Sequence, residues 1–121
     1  MKIHESAENY LETILILRER KGNVRSIDIV NELSYSKPSV SIAMKHLREN
    51  GYVNMDSDGS LTLTPAGEEI AARMYERHQM LTGWLVSIGV DEEIASEDAC
   101  RIEHVISDES FEAIKAFAQK E

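Results

Sequence analysis

Cysteine occurs once in this 121-residue chain, at Cys100. One thiol cannot cross-link a fold within a chain, which excludes a disulfide scaffold and fits a reducing compartment. No apolar run approaches the ~20 residues that a membrane-spanning helix needs. The N-terminal stretch MKIHESAENY lacks the apolar segment of a secretory signal. The chain is therefore expected to be soluble and cytoplasmic, with no membrane partner. Low-complexity segments, internal repeats and long linkers are missing too. So is any excess of basic residues: 13 Lys and Arg stand against 22 Asp and Glu, a net charge of −9. The deficit is uneven, because residues 1–50 carry +1 and residues 51–121 carry −10. An acidic surface repels phosphate, so a nucleic-acid face fits only the first half.

What is present is helical periodicity. SAENYLETILILRER spaces Tyr10, Leu11, Ile14, Leu15 and Leu17 for an amphipathic helix from about Ser6 to Lys21, ended at Gly22. RSIDIVNELS reads as a second helix with Ser26 as N-cap and Ile27, Ile29, Val30 and Leu33 as its apolar set. YSKPSVSIAMKHLRENG reads as a third, capped by Ser36, with Pro38 in its first turn, Gly51 at its end, and Val40, Met44 and Leu47 facing inward. Tyr52–Met55 and Ser60–Leu63 flank DSDG, a hairpin signal. Thr64 and Pro65 open a fourth helix of about 24 residues running toward Gly89. Two more helices are expected, around Glu92–Val105 and Ser107–Gln119, with Ser107 capping the latter.

Three helices and then a two-stranded hairpin is the order of a winged helix-turn-helix, in which the third helix enters the major groove. The expected fold is mainly α: a winged helix-turn-helix DNA-binding domain over 1–63 and an all-helical domain over 64–121. Ser36, Lys37, Pro38, Ser39, Ser41 and Lys45 lie on or beside the proposed recognition helix, and Arg25 and Arg48 add positive charge. The wing tip DSDG is acidic and has no cation to meet a phosphate. Trp84, Leu85, Ile88, Ile94, Ile102 and Val105 are more large apolar groups than a small helical half hides, and they predict a two-fold interface between copies.

Cys100, Glu103 and His104 stand at i, i+3 and i+4, which puts a thiol, a carboxylate and an imidazole on one helix face. These are metal-ligand types, and one helix leaves the set incomplete. His78 on the fourth helix, and Asn9 and Glu12 one turn apart on the first, are candidate partners. A small core thiol beside a surface Glu–His pair is the structural alternative. A Cys–His nucleophile needs an orienting third group and an oxyanion site, and neither is legible.

Five stretches resemble the diphtheria-toxin-repressor family of metal-dependent transcription regulators, which includes the manganese-transport regulators. They are ENYLETI, SKPSVSIAMKHLRENGYV, LTLTPAGEEIA, RHQML and ACRIEHVISDE. The resemblance implies a homodimer that binds a palindromic operator on double-stranded DNA when loaded with Fe(II) or Mn(II), repressing metal uptake; it implies no enzyme activity. It also implies metal ligands at Asn9, Glu12, His78, Cys100, Glu103 and His104, and the short form of the family, without its C-terminal SH3-like domain. Cys100 is the iron-type residue and Glu12 the manganese-type, while Asn9 replaces the expected thioether or aspartate. Thr82 and Ser96 stand where iron-type members carry ancillary ligands. A thiolate tilts the choice toward Fe(II), with Mn(II) beside it; Zn(II), Co(II) and Ni(II) are expected to bind in vitro. The competing readings are a metal-binding protein or metalloenzyme without an operator, and a winged-helix regulator that responds to an organic ligand.

Overall fold

The computed structural model describes residues 5–120, and the statements below concern those residues. The order is α1 (Glu5–Lys21), α2 (Ser26–Leu33), α3 (Lys37–Glu49), β1 (Val53–Met55), β2 (Leu61–Leu63), α4 (Pro65–Ser87), α5 (Glu92–Ile102) and α6 (Asp108–Gln119). The chain forms two compact units, Met1–Arg73 and Met74–Glu121, divided within α4. No helix is long and apolar enough to cross a membrane.

In the first unit α1 packs against α2 and β2, α2 against α3, and α3 against β1. Leu11, Ile14, Val24, Ile29, Val40, Met44 and Val53 are buried at its core. The inward trio of α3 is as its periodicity requires, but on α2 only Ile29 is fully buried and Ile27 faces solvent. Ser36 caps α3, its Oγ accepting from Ser39 N at 3.2 Å. The cap of α2 is Arg25 and not Ser26, which is already helical. Asp28 reaches back and accepts the Arg25 N–H at 2.9 Å, so a first-turn carboxylate, and not a serine hydroxyl, ties down the start of the helix. The Lys21 ammonium and that N–H hold the Asp28 carboxyl below the usual range.

β1 and β2 pair antiparallel with Val53 opposite Leu63 and Met55 opposite Leu61, leaving a five-residue tip, Asp56–Ser60. Gly59 takes the positive φ of 88° that closes it. A bridge from Val24 to Leu61 extends the ribbon toward the α1–α2 connection. Arg18 then ties α1 to the first turn of α4, its two Nη groups donating to the two Glu68 carboxylate oxygens at 2.6 and 2.9 Å. That pairing holds the Glu68 carboxyl below its ordinary value, so its contribution is present at neutral pH and fades on acidification. Both partners are more than a third exposed, which keeps it small.

The TPAG segment is fixed by a shared carbonyl. Thr64 N donates to Tyr52 O at 3.1 Å, while Thr64 Oγ donates to Gly51 O and accepts from Gly67 N. A Cβ on Gly67 would stand 2.1 Å from that same Tyr52 oxygen. The carbonyl cannot retreat without breaking its bond to Thr64. In the second unit Leu81, Ala99 and Phe111 form the buried centre, with Met80, Trp84, Ile102, Ile106 and Ile114 around it. Gly67→Ala should cost about 1–3 kcal/mol of stability through this overlap. Urea unfolding measures it, and a parent-like midpoint would show that the strand-to-helix junction is looser than described.

Candidate metal centre and nucleic-acid face

The centre grows from the end of α5. Asp91 caps its start, accepting from Glu93 N at 3.2 Å. The regular helix stops at Ile102, three residues short of the expected Val105. Glu103 keeps a helical backbone at the C-cap, with its N–H still bonded to Ala99 O, and His104 follows in a turn closed by Val105 and Ile106 N–H groups on Ile102 O. The turn arises because Ser107 must cap α6 four residues later, accepting from Ser110 N at 3.1 Å.

This end brings together the residues whose spacing singled them out. One donor atom from each of Cys100, Glu103 and His104 lies within 4.8 Å of the others. Glu103 has 0% exposure, His104 has 2% side-chain exposure, and Cys100 is exposed. His78 approaches from α4, its Nδ1 3.4 Å from Glu103 Oε1, while His104 Nε2 is 3.8 Å from the same oxygen. On the far side of the His78 ring, Nε2 and Ser96 Oγ are 3.3 Å apart. If Nδ1 is to present a lone pair, Nε2 must carry the proton and donate to Ser96. Ser96 therefore serves the ring from behind.

Neither Glu103 carboxylate oxygen has a hydrogen-bond donor. The group also sits at the C-terminal end of α5, the negative pole of the helix. Burying a carboxylate there without a cation is costly. A divalent ion among a thiolate, a carboxylate and imidazoles answers that cost, so the residues present fit a metal.

Sequence spacing did not reveal Arg77. Its side chain is 6% exposed, and it donates to the carbonyls of Glu103 and Ile106 at 2.9 and 2.8 Å. Asn9 and Glu12 lie on α1 in the first unit. Glu12 is buried there, and the backbone carbonyl of half-buried Asn9 accepts from Thr13 Oγ at 2.7 Å. The deeply buried Glu12 is an unusual core residue in its own right.

On α3, Lys37, Pro38, Ser39, Ser41 and Lys45 are exposed, opposite the buried Val40, Met44 and Leu47. Ser36 is exposed but its oxygen is occupied by the cap. Ile42, 57% exposed, shares the face of Pro38, Ser41 and Lys45. It lies off the Val40–Met44–Leu47 stripe, where the helical period leaves it outward, and it is the kind of group that meets a thymine methyl. Arg25 extends to the wing, its Nη2 3.7 Å from Asp58 Oδ2. Arg48 is turned to Met55, donating to Sδ at 3.1 Å.

Two family profiles match nearly the whole chain: the iron dependent repressor N-terminal DNA binding domain over residues 2–61, and the iron dependent repressor metal binding and dimerisation domain over 64–120. The chain belongs to the iron-dependent repressor family. This is the family to which the five sequence stretches pointed. An uncharacterized HTH-type transcriptional regulator of Methanocaldococcus jannaschii is 36% identical over 118 residues, covering 96% of this chain and 94% of that protein. The transcriptional regulator MntR of Salmonella typhimurium is 36% identical, covering 96% and 74%. Among solved structures, the manganese regulator SloR superposes with a TM-score of 0.82 at 28% identity, over 98% of this chain and 55% of that one. A manganese-dependent transcriptional repressor in complex with manganese gives 0.83 at 28% identity, over 91% and 51%. The chain thus spans about half the length of these solved family members.

Glu103→Gln removes the buried charge and keeps the shape. At pH 8 without metal it should unfold at the parent temperature or above, while the rise in unfolding temperature given by added Mn(II) disappears. Calorimetry with and without metal decides. A metal-free variant several degrees less stable would mean that the carboxylate is already compensated by the protein.

Proposed function

We propose that the protein is a cytoplasmic, metal-activated transcriptional repressor that acts as a homodimer on a palindromic operator. The observation that carries this is the buried Glu103 carboxylate, without hydrogen-bond donors, beside Cys100, His104 and His78. The DNA-binding segment is 1–63 and the metal and dimerisation segment 64–121. The ligands are His78, Cys100, Glu103 and His104, to which the family resemblance adds Asn9 and Glu12. Mn(II) is supported by the names of the relatives, MntR and the manganese regulators, and Fe(II) by the thiolate. When bound, the divalent ion supplies the positive charge that the buried carboxylate lacks.

The chain's own residues do the rest. Cys100 gives up its thiol proton, so loading weakens as pH falls. With its Nε2 proton on Ser96, His78 presents the Nδ1 lone pair on the side of Glu103. Glu103 exchanges an uncompensated charge for a paired one, which favours the loaded state over the empty ensemble. In the first unit Lys37 and Lys45 meet phosphates, and Ser39, Ser41 and Ile42 face base edges. Ile88, Ile94 and Val105 are 60%, 54% and 71% exposed in the second unit and form the interface between two copies. A metal-binding protein without an operator is the second reading, favoured by the acidic wing, whose Asp58 faces Arg25.

The deciding measurement is an anaerobic titration with Fe(II), Mn(II) and Zn(II) of binding to duplexes selected from a random pool. The repressor reading requires tight binding that depends on metal; metal uptake without DNA binding would establish the second reading. Lys45→Ala should lower affinity across sequences and flatten the log–log salt slope by about one. Asp58→Asn should raise DNA affinity by freeing Arg25 and removing a like charge from the phosphates. If neither changes affinity, α3 and the wing lie away from DNA. Sedimentation at micromolar concentration should show a dimer; a monomer with and without metal would defeat the two-fold interface.

A further inference from the structure

We propose that Arg77 is a positioning residue that holds the α5–α6 turn in the shape in which Glu103 and His104 converge on Cys100. The inference rests on the metal reading given above. Arg77 lies on α4 immediately before His78, so one short stretch of one helix supplies a ligand candidate and the clamp for two others. One guanidinium nitrogen donates to Glu103 O and Ile106 O, at 2.9 and 2.8 Å, spanning the turn from its first to its last residue. The second nitrogen pairs with Asp108 at the start of α6. The guanidinium plane also covers Phe111, with Cζ 5.2 Å from the ring centroid.

An arginine is the side chain that can do all of this. The planar fork bonds two carbonyls and a carboxylate while presenting a flat face to an aromatic ring, and a lysine ammonium has neither the span nor the face. The placement also has an electrostatic sense. The last carbonyls of α5 and the turn are an array of negative dipole ends beside a buried carboxylate. A fixed cation behind the turn satisfies the carbonyls without occupying the space between the donor atoms. The Glu103 side chain is left unbonded while its own backbone oxygen is secured. That is the arrangement expected of a ligand held ready for an ion, and such supporting groups commonly change metal affinity by about 10–100-fold when removed.

The test separates positioning from mere stabilisation. Mn(II) alone is titrated into the full chain, and unfolding of the metal-free protein is followed in parallel. Arg77→Lys should raise the Mn(II) dissociation constant by about 10–100-fold. Asp108→Asn leaves the two carbonyl bonds but loosens the clamp, and should shift it in the same direction by about three- to tenfold, a fraction of that range. Ile114→Ala, a core change that lowers stability and removes none of the hydrogen bonds of Arg77, should bind Mn(II) like the parent. Parent-like affinity in both Arg77→Lys and Asp108→Asn overturns the proposal, as does an equal loss in Ile114→Ala at matched stability. If Arg77→Lys does not fold, parent-like affinity in Asp108→Asn alone overturns it. A parent that binds no Mn(II), or binds it unaffected by Cys100→Ser and His104→Ala, defeats instead the assignment of the centre itself.

Discussion

A carboxylate with no exposed surface and no hydrogen-bond donor dominates the second unit. Charges are rarely left so, because transfer out of water costs several kcal/mol per ion even after relaxation. The geometry around Glu103 reads as a response to that cost. Two imidazoles face one of its oxygens, a thiol stands one turn back, and Arg77 occupies the carbonyls and not the carboxylate. The protein retains a destabilising group where a cation can relieve it. Folding energy and ligand affinity are thereby linked at one atom pair.

The first unit is built on a different economy, of local signals that agree with one another. Ser36, Asp28 and Thr64 each satisfy helix N-termini, and Gly51 and Gly59 take the positive φ that ends α3 and closes the wing. Gly67 lets α4 start against the Tyr52 carbonyl. The result is a unit whose outward α3 face is free of core duties. Its charge is modest, and the acidic wing spends one of its few cations on Asp58. Discrimination among sequences would then lean on Ser39, Ser41 and Ile42 more than on non-specific attraction to phosphate.

Apolar exposure completes the division of labour. Ile88 and Phe117 border a groove of about 520 Å³ between α4 and α6, floored by Met80 and Trp84. Ile94 and Val105 add two further large apolar side chains exposed in the same unit. The family profile over 64–120 describes a dimerisation domain, and these are the side chains that such a role would cover.

The sequence determined most of what is local. Periods of 3.6 residues, caps one residue before each helix, and Asp-Gly in the wing placed six helices and a hairpin within a few residues, because each signal acts through neighbouring peptide groups. It also grouped Cys100, Glu103 and His104, since i, i+3 and i+4 positions share a face whatever packs around them. Its errors were equally local. Arg25 stands at the cap position expected of Ser26, with Asp28 bonded back to its N–H, and α5 ended early because Ser107 needed a turn before α6. What only the tertiary structure decided is which groups are denied water. Nothing in the order of residues says that Glu103 is fully buried and unbonded, that Ser96 stands behind His78, or that Arg77 reaches 26 and 29 positions along the chain to two carbonyls. Burial and long-range hydrogen bonds depend on which helices meet, and that is fixed by the sum of many weak apolar contacts and not by any single spacing.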